Sequence, residues 1–233
     1  MGNKISFEEV LKKLNSKAHP DQLEGMSKFG MRGEKRLGVA VPELRKMAKE
    51  IGKVHMLALK LWKTGIPEAM ILAAMVDNPD EVTEHQTEKW VKDIESWDVC
   101  DQLCMNLLEK LPFVLKKINE WSVRKEEFVK RTAFALIACI AWHDKKAPDK
   151  LFIKLFPVIK SGAADERNFV KKAVNWAIRN IGKRNLELNN AALKLANEIM
   201  KFDSKAARWI AADAIRELES DAVKKRLKGI KNS

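Results

Sequence analysis

No apolar run in the sequence approaches the roughly 18–20 residues that span a bilayer. The first residues are charged and polar, unlike the apolar core of a secretory signal. Glycine and proline are scarce, at 10 and 7 of 233 residues, so long irregular loops are not expected. Alternating Val/Thr/Ile-rich stretches are missing, which argues against a large sheet. Cysteine is limited to Cys100, Cys104 and Cys139. An odd, low count without a signal excludes a disulfide framework and points to a reducing cytoplasm. Cys100 and Cys104 share a helical face, yet no third and fourth ligand stands nearby at finger-like spacing, so buried thiols are expected. There is no glycine-rich phosphate loop. The histidines His19, His55, His85 and His143 are scattered, with no partner at catalytic spacing. The reading therefore includes no metal and no cofactor. The opening Met1-Gly2-Asn3-Lys4-Ile5-Ser6 matches the loose N-myristoylation pattern, which fixes so few positions that it is read as chance.

What is present is helix-forming. Ala, Leu, Lys, Glu, Arg and Met recur throughout. Capping and turn chemistry place helices at about 6–16, 20–30, 42–52, 55–64, 67–77, 83–94, 97–111, 112–121, 125–142, 148–160, 166–182, 186–201, 204–219 and 221–229. Pro42, Pro67 and Pro112 suit helix first turns, and Ser161-Gly162 ends a helix. No linker divides the chain, so residues 1–233 read as one domain. Three segments look alike: Phe128-Val129-Lys130-Arg131, Phe169-Val170-Lys171-Lys172 and Ala206-Ala207-Arg208, each opening an apolar helix. The first two lie 41 residues apart and the third follows 36–37 later. That period belongs to helical-hairpin repeats of the HEAT and armadillo type. The expected fold is an all-α solenoid of antiparallel helical pairs, an α-α superhelix whose concave side forms a basic groove.

The net charge is +12, with a pI near 9.5. Nucleic acid is the leading partner for such a chain and an anionic membrane surface the second. The charge is local: residues 124–184 hold 15 Lys and Arg against 6 Asp and Glu, a net of +9. Lys130 and Arg131, Lys171 and Lys172, Arg179, Lys183 and Arg184 sit at helix starts and ends, where successive repeats would project them alike. Such a stripe could track phosphates; surface lysines on a helix also occur simply for solvation.

The most unusual local sequence is Ser96-Trp97-Asp98-Val99-Cys100-Asp101. Ser96 suits an N-cap and Asp98 the positive end of a helix. Trp97 and Asp101, four apart, share a face. An aromatic beside a carboxylate fits a cleft better than open surface or core. Arg131 begins an otherwise apolar helix, and Trp176 lies one turn before Arg179. Each also has a structural reading: Trp is common between packed helices, and Arg131 could pair with a carboxylate.

Taken together these segments are similar to the AlkD-type DNA alkylation repair family, HEAT-like alkylpurine DNA glycosylases. The resemblance runs from Met26-Ser27-Lys28-Phe29 and Gly38-Val39-Ala40-Val41-Pro42-Glu43-Leu44-Arg45 through Ser96–Asp101 and Lys130-Arg131-Thr132-Ala133. It is strongest over residues 165–179 and fades in the C-terminal tail. It implies that Asp101 is the catalytic carboxylate and that Trp97 and Trp176 are cleft aromatics. It implies that Arg131 contacts the lesioned strand and that Arg179 matches a basic residue nearby; the recurring basic pairs add Lys130, Lys171 and Lys172 as expected DNA-binding residues. The implied reaction is hydrolysis of the N-glycosidic bond of a 3-alkyladenine or 7-alkylguanine in double-stranded DNA. A cytoplasmic protein that does not engage membranes is expected, and a monomer, since repeat proteins with polar ends are often monomeric. A non-catalytic nucleic-acid-binding scaffold and a protein-interaction scaffold are the competing readings.

Overall fold

The computed structural model describes residues 5–230. Gly2, on which the myristoylation-like pattern turns, lies outside them. The described residues form fourteen α-helices and no strand. In chain order these are α1 (Phe7–Asn15), α2 (Leu23–Lys28), α3 (Val41–Ile51), α4 (His55–Trp62), α5 (Pro67–Val76), α6 (Glu84–Lys92) and α7 (Trp97–Asn106). There follow α8 (Val114–Ser122), α9 (Glu127–His143), α10 (Asp149–Gly162), α11 (Asn168–Gly182), α12 (Leu186–Met200), α13 (Lys205–Leu218) and α14 (Asp221–Ile230). The chain divides into two compact units, Met1–Val114 and Leu115–Ser233.

Local chemistry sets the helix ends. Ser6 and Glu9 form a capping box at α1, each side chain bonded to the other's backbone N–H. Thr83, Asn185 and Ser204 cap α6, α12 and α13 through their side chains. Pro42 and Pro67 lie in first turns, as expected. Pro112 does not: α8 begins only at Val114. The expected helix 97–111 is also interrupted, because Leu107 leaves the helical region (φ −131°, ψ −62°) and a 3₁₀ turn follows over Leu108–Lys110. Likewise 20–30 becomes a 3₁₀ turn, Pro20–Gln22, followed by the short α2.

In the first unit α5 is buried along its whole length, and α3, α4 and α7 pack against it. A helix apolar on every side can only be a core helix. Its one charged residue, Glu68, is 1% exposed and accepts the backbone N–H groups of Leu37 (3.0 Å) and Gly38 (2.8 Å). That bond docks the 30–40 loop onto the core. Gly38 adopts φ +81°, and a Cβ there would lie 2.3 Å from the His19 carbonyl oxygen, so no other residue fits.

In the second unit α9 packs on α11 and α11 on α13, while α10 and α12 pack alongside. Repeat-equivalent positions touch directly: the rings of Phe128 and Phe169 are 5.4 Å apart. Buried amides register the stack. Asn180 donates to the Ala138 carbonyl of α9 (3.0 Å) and Asn175 to the Ile210 carbonyl of α13 (3.1 Å). Gly162 lets α10 close on α9, since a Cβ there would meet the Phe134 ring at 2.2 Å.

Candidate functional site

The first unit carries the aromatic–carboxylate pair. Ser96 occupies the N-cap of α7 but makes no side-chain cap bond. Its hydroxyl instead donates to the Asp98 carboxylate and accepts from the Arg32 backbone N–H (3.0 Å). Asp98 is held less by the helix end than by Arg36, which grips it with two hydrogen bonds of 2.8 and 3.0 Å. Arg36 also donates to the Arg32 carbonyl (2.9 Å) and lies 3.7 Å from Glu68. All three charged groups are buried. This cluster fixes the start of α7 relative to the 30–40 loop and α5. Nothing in the spacing of Arg36, Glu68 and Asp98 announces it.

Trp97 is half-buried, and its indole N–H donates to the Phe29 carbonyl (3.0 Å). The indole is therefore oriented by the same loop region that Glu68 docks. Asp101 follows one turn later and is 8% exposed. A cavity of about 570 Å³ in this unit has Ser96, Val99 and the stacked rings of Trp62 and Trp90 in its wall. Trp97 and Asp101 are not part of that wall.

The second unit carries the remaining expected residues. Arg131, in the first turns of α9, is buried and donates to the Phe169 carbonyl at 2.6 Å. Lys130 lies 3.0 Å from Asp165. Burial alone would raise the Asp165 carboxyl, but hydrogen bonds from Arg167 and Lys130 outweigh it and hold the group at about 2. Lys171 places its ammonium 5.3 Å from the Trp209 ring centre. Lys172 is exposed. Arg179 meets Asp213 (3.1 Å) and Glu217 (2.5 Å), and Lys183 shares Glu217 (2.7 Å). The expected uniform stripe is thus partly neutralised. Acids about one repeat downstream face Lys130, Arg179 and Lys183, and a net charge does not register such pairing. Trp176 is half-buried in the wall of a second cavity, of about 680 Å³.

His55 acquires through folding the partner that its sequence neighbourhood lacks. Its Nδ1 is 2.6 Å from Asp77, which also accepts from Gln86 (2.7 Å). Burial pushes the Asp77 carboxyl upward. The three cysteines are buried, as expected.

Among solved structures the chain is similar to a member of "a new family of proteins related to the HEAT-like repeat DNA glycosylases with affinity for branched DNA structures", with a TM-score of 0.75 and 18% identity. The match covers 91% of this chain and 95% of that one. A designed armadillo repeat protein in complex with a (KR)4 peptide matches at 19% identity and a TM-score of 0.36, over 97% of this chain and 87% of that one. No curated protein sequence matches the chain. At these identities the first likeness carries the fold alone, the HEAT-like one that the 36–41-residue repeats point to. The model of the family described as DNA alkylation repair enzyme matches residues 10–218 and so takes in α7, α9 and α11. With the helical repeats and the Trp97-x-x-x-Asp101 turn in place, the chain belongs to the DNA alkylation repair enzyme family.

Proposed function

We propose that the protein is a DNA glycosylase that excises positively charged alkylated purines, 3-alkyladenine and 7-alkylguanine, from double-stranded DNA. The observation that carries this is the Trp97–Asp101 turn of α7, anchored by the buried Arg36–Asp98 pair and the Trp97–Phe29 hydrogen bond. Catalytic groups held on a rigid element keep their geometry when substrate binds.

Alkylation at N3 or N7 leaves the base cationic, so the glycosidic electron pair departs with it and the base leaves neutral. No strong general acid is required. The deoxyribose left behind develops oxocarbenium charge, which the Asp101 carboxylate stabilises. Asp101 then accepts a proton from the water that attacks the anomeric carbon. The Trp97 ring, on the same helix, packs against the sugar and attracts its positive charge through its face; Trp176 is a further aromatic contact to the DNA. Arg131 holds a backbone phosphate through a charge-assisted hydrogen bond. Lys130, Lys171, Lys172 and Arg179 contribute to backbone contact, Lys172 most directly because it is exposed.

The decisive experiment incubates the protein with duplex DNA containing 7-methylguanine and measures free base released, for wild type and Asp101→Asn. Release by wild type and its loss in the variant are expected. A second reading, a DNA-binding scaffold without excision, draws on the solved neighbour's described affinity for branched DNA structures. Tight, salt-dependent DNA binding with no release from either protein would establish that reading instead. Absence of salt-dependent DNA binding would leave a protein-interaction scaffold.

A further inference from the structure

The second cavity lies wholly within the second unit, at the C-terminal ends of α9 and α11 and against α14. Its wall brings together Trp142, Trp176, Lys145, Lys183, Arg184 and Arg226, with Asp149 the one carboxylate among them. Four cations against one acid is an unusual balance for a recess of about 680 Å³, a size typical of small-ligand sites.

The cations are differently engaged. Arg184 is built into the fold. It donates to the carbonyls of Ala141 (2.8 Å), Asp144 (2.8 Å) and Ala147 (3.0 Å), and its guanidinium lies 4.4 Å from the Phe152 ring centre. Three bonds to carbonyls hold its Nη1 and Nη2 groups without neutralising its charge, while its buried Nε makes no hydrogen bond. Lys183 is paired with Glu217 (2.7 Å), and Asp149 accepts from Asn185 (2.8 Å). Lys145 bonds the Trp142 carbonyl, and no carboxylate among the described residues pairs with it or with Arg226. Burial, then repulsion from Arg184 and Arg226, lowers the Lys145 ammonium below its ordinary value. Like charges pressed together in one recess are relieved by an anion.

Trp142 adds the second half of the argument. It is stacked on the His143 ring (4.8 Å, 25°), yet half of its surface stays in solvent. An exposed indole stacked on His143 and beside three cations offers a π-face next to a phosphate site. A duplex presents phosphates but keeps its base faces stacked on one another. Only an unpaired nucleotide can offer both at once. A simple phosphate would leave the indole unused, and an apolar ligand would leave the cations repelling.

We infer that this cavity binds an unpaired nucleotide of a DNA strand, its base stacked on Trp142 and its phosphate held by Lys145, Arg184 and Arg226. This rests on the reading that the protein binds DNA, and not on excision.

Fluorescence anisotropy with a labelled blunt duplex, and with the same duplex carrying a short single-stranded extension, tests it. The extended duplex should bind about tenfold tighter, the size of one base-stacking interaction. Trp142→Ala should abolish that advantage and leave blunt-duplex affinity unchanged. Arg226→Gln should lower the salt slope by about one on the extended duplex only. Both side chains are exposed, so the variants should fold, which circular dichroism checks. Blunt-duplex binding with no advantage for the extension would overturn the inference while leaving the duplex reading intact. So would equal losses on both DNAs in Trp142→Ala. Binding of the extended but not the blunt duplex would support the cavity and overturn the duplex reading. Free deoxyadenosine monophosphate should compete only weakly. Competition by it as strong as by the extension would identify a free nucleotide, not a DNA strand, as the ligand.

Discussion

Asp165→Asn tests whether charge holds the helix starts of the second unit in place. Asp165 accepts from the Arg167 backbone N–H (3.1 Å), from its Nε (2.8 Å) and Nη2 (2.6 Å), and from Lys130 at 3.0 Å. Arg167 continues the clip to the Lys125 carbonyl at 2.5 Å. The variant keeps the shape and removes the charge. A carboxyl held at about 2 instead of 3.8 corresponds to a little over 2 kcal/mol of stability. Arg167 is 35% exposed, so water screens part of this, and about 1–2 kcal/mol is expected. The sign follows from the depressed value. The contribution is whole above the unfolded pKa, near 3.8, and is lost as pH falls through about 2. Urea unfolding of wild type and variant at pH 7, about 4.5 and about 3 should give a gap that is constant between the first two. By the third it should shrink by about half. A gap that stays the same at all three would refute the electrostatic account and leave only a packing role.

Four further outcomes follow from other parts of the molecule. Arg36→Met strands the buried carboxylates of Asp98 and Glu68 and should cost about 3–5 kcal/mol in denaturant unfolding; a loss under 1 kcal/mol would mean that water reaches the cluster. Gly162→Ala puts a methyl into the Phe134 ring, and over-packing of about 1–3 kcal/mol should exceed the gain of up to about 1 kcal/mol in helix propensity. Gly25→Ala, in open space within α2, should stabilise by about 0.5–1 kcal/mol, and the two urea midpoints should move in opposite directions. Trp97→Ala should slow 7-methylguanine release more than it weakens DNA affinity; equal losses in rate and affinity would remove the sugar-stacking role.

Helix positions were largely legible because their causes are local. Ser6 with Glu9, Thr83, Asn185 and Ser204 act within one turn, as do Pro42 and Pro67. The misplaced ends have distant causes. The chain breaks around residues 20–30 because His19 donates to the Leu37 carbonyl (2.8 Å) and Gly38 packs on His19 in return. The Trp97–Asp101 pair was legible because helix periodicity alone places it on one face. The ion pairs of Lys130, Arg179 and Lys183 were not, although the repeat offered a signal. Each acid sits about one repeat beyond its base, at Asp165, Asp213 and Glu217. A repeat-aligned reading of charges would pair them. Arg36 with Asp98 and Glu68 has no such period, and only the fold brings them together.

That pairing separates two roles that net charge merges. Far from the surface, the field depends on the sum, and +12 draws a polyanion whether or not individual cations are paired. At contact the partners matter. Lys130, Arg179 and Lys183 must share or surrender a carboxylate to meet a phosphate. Arg184 gives up carbonyls, which are weaker competitors for a guanidinium than a phosphate is. Lys172 and Arg226 give up nothing but water, having no carboxylate partner among the described residues. Contact is therefore selected toward positions that a count of basic residues ranks no higher than the rest. The motif's own Asp165 and Glu166 fit the same logic: Asp165 holds Lys130 and Arg167, and Glu166 accepts from Ser204 (2.8 Å) and the Ala206 N–H (3.1 Å) at the start of α13. The acids of the most basic segment fix its helix starts in register, so that the cations left over face solvent from a rigid frame.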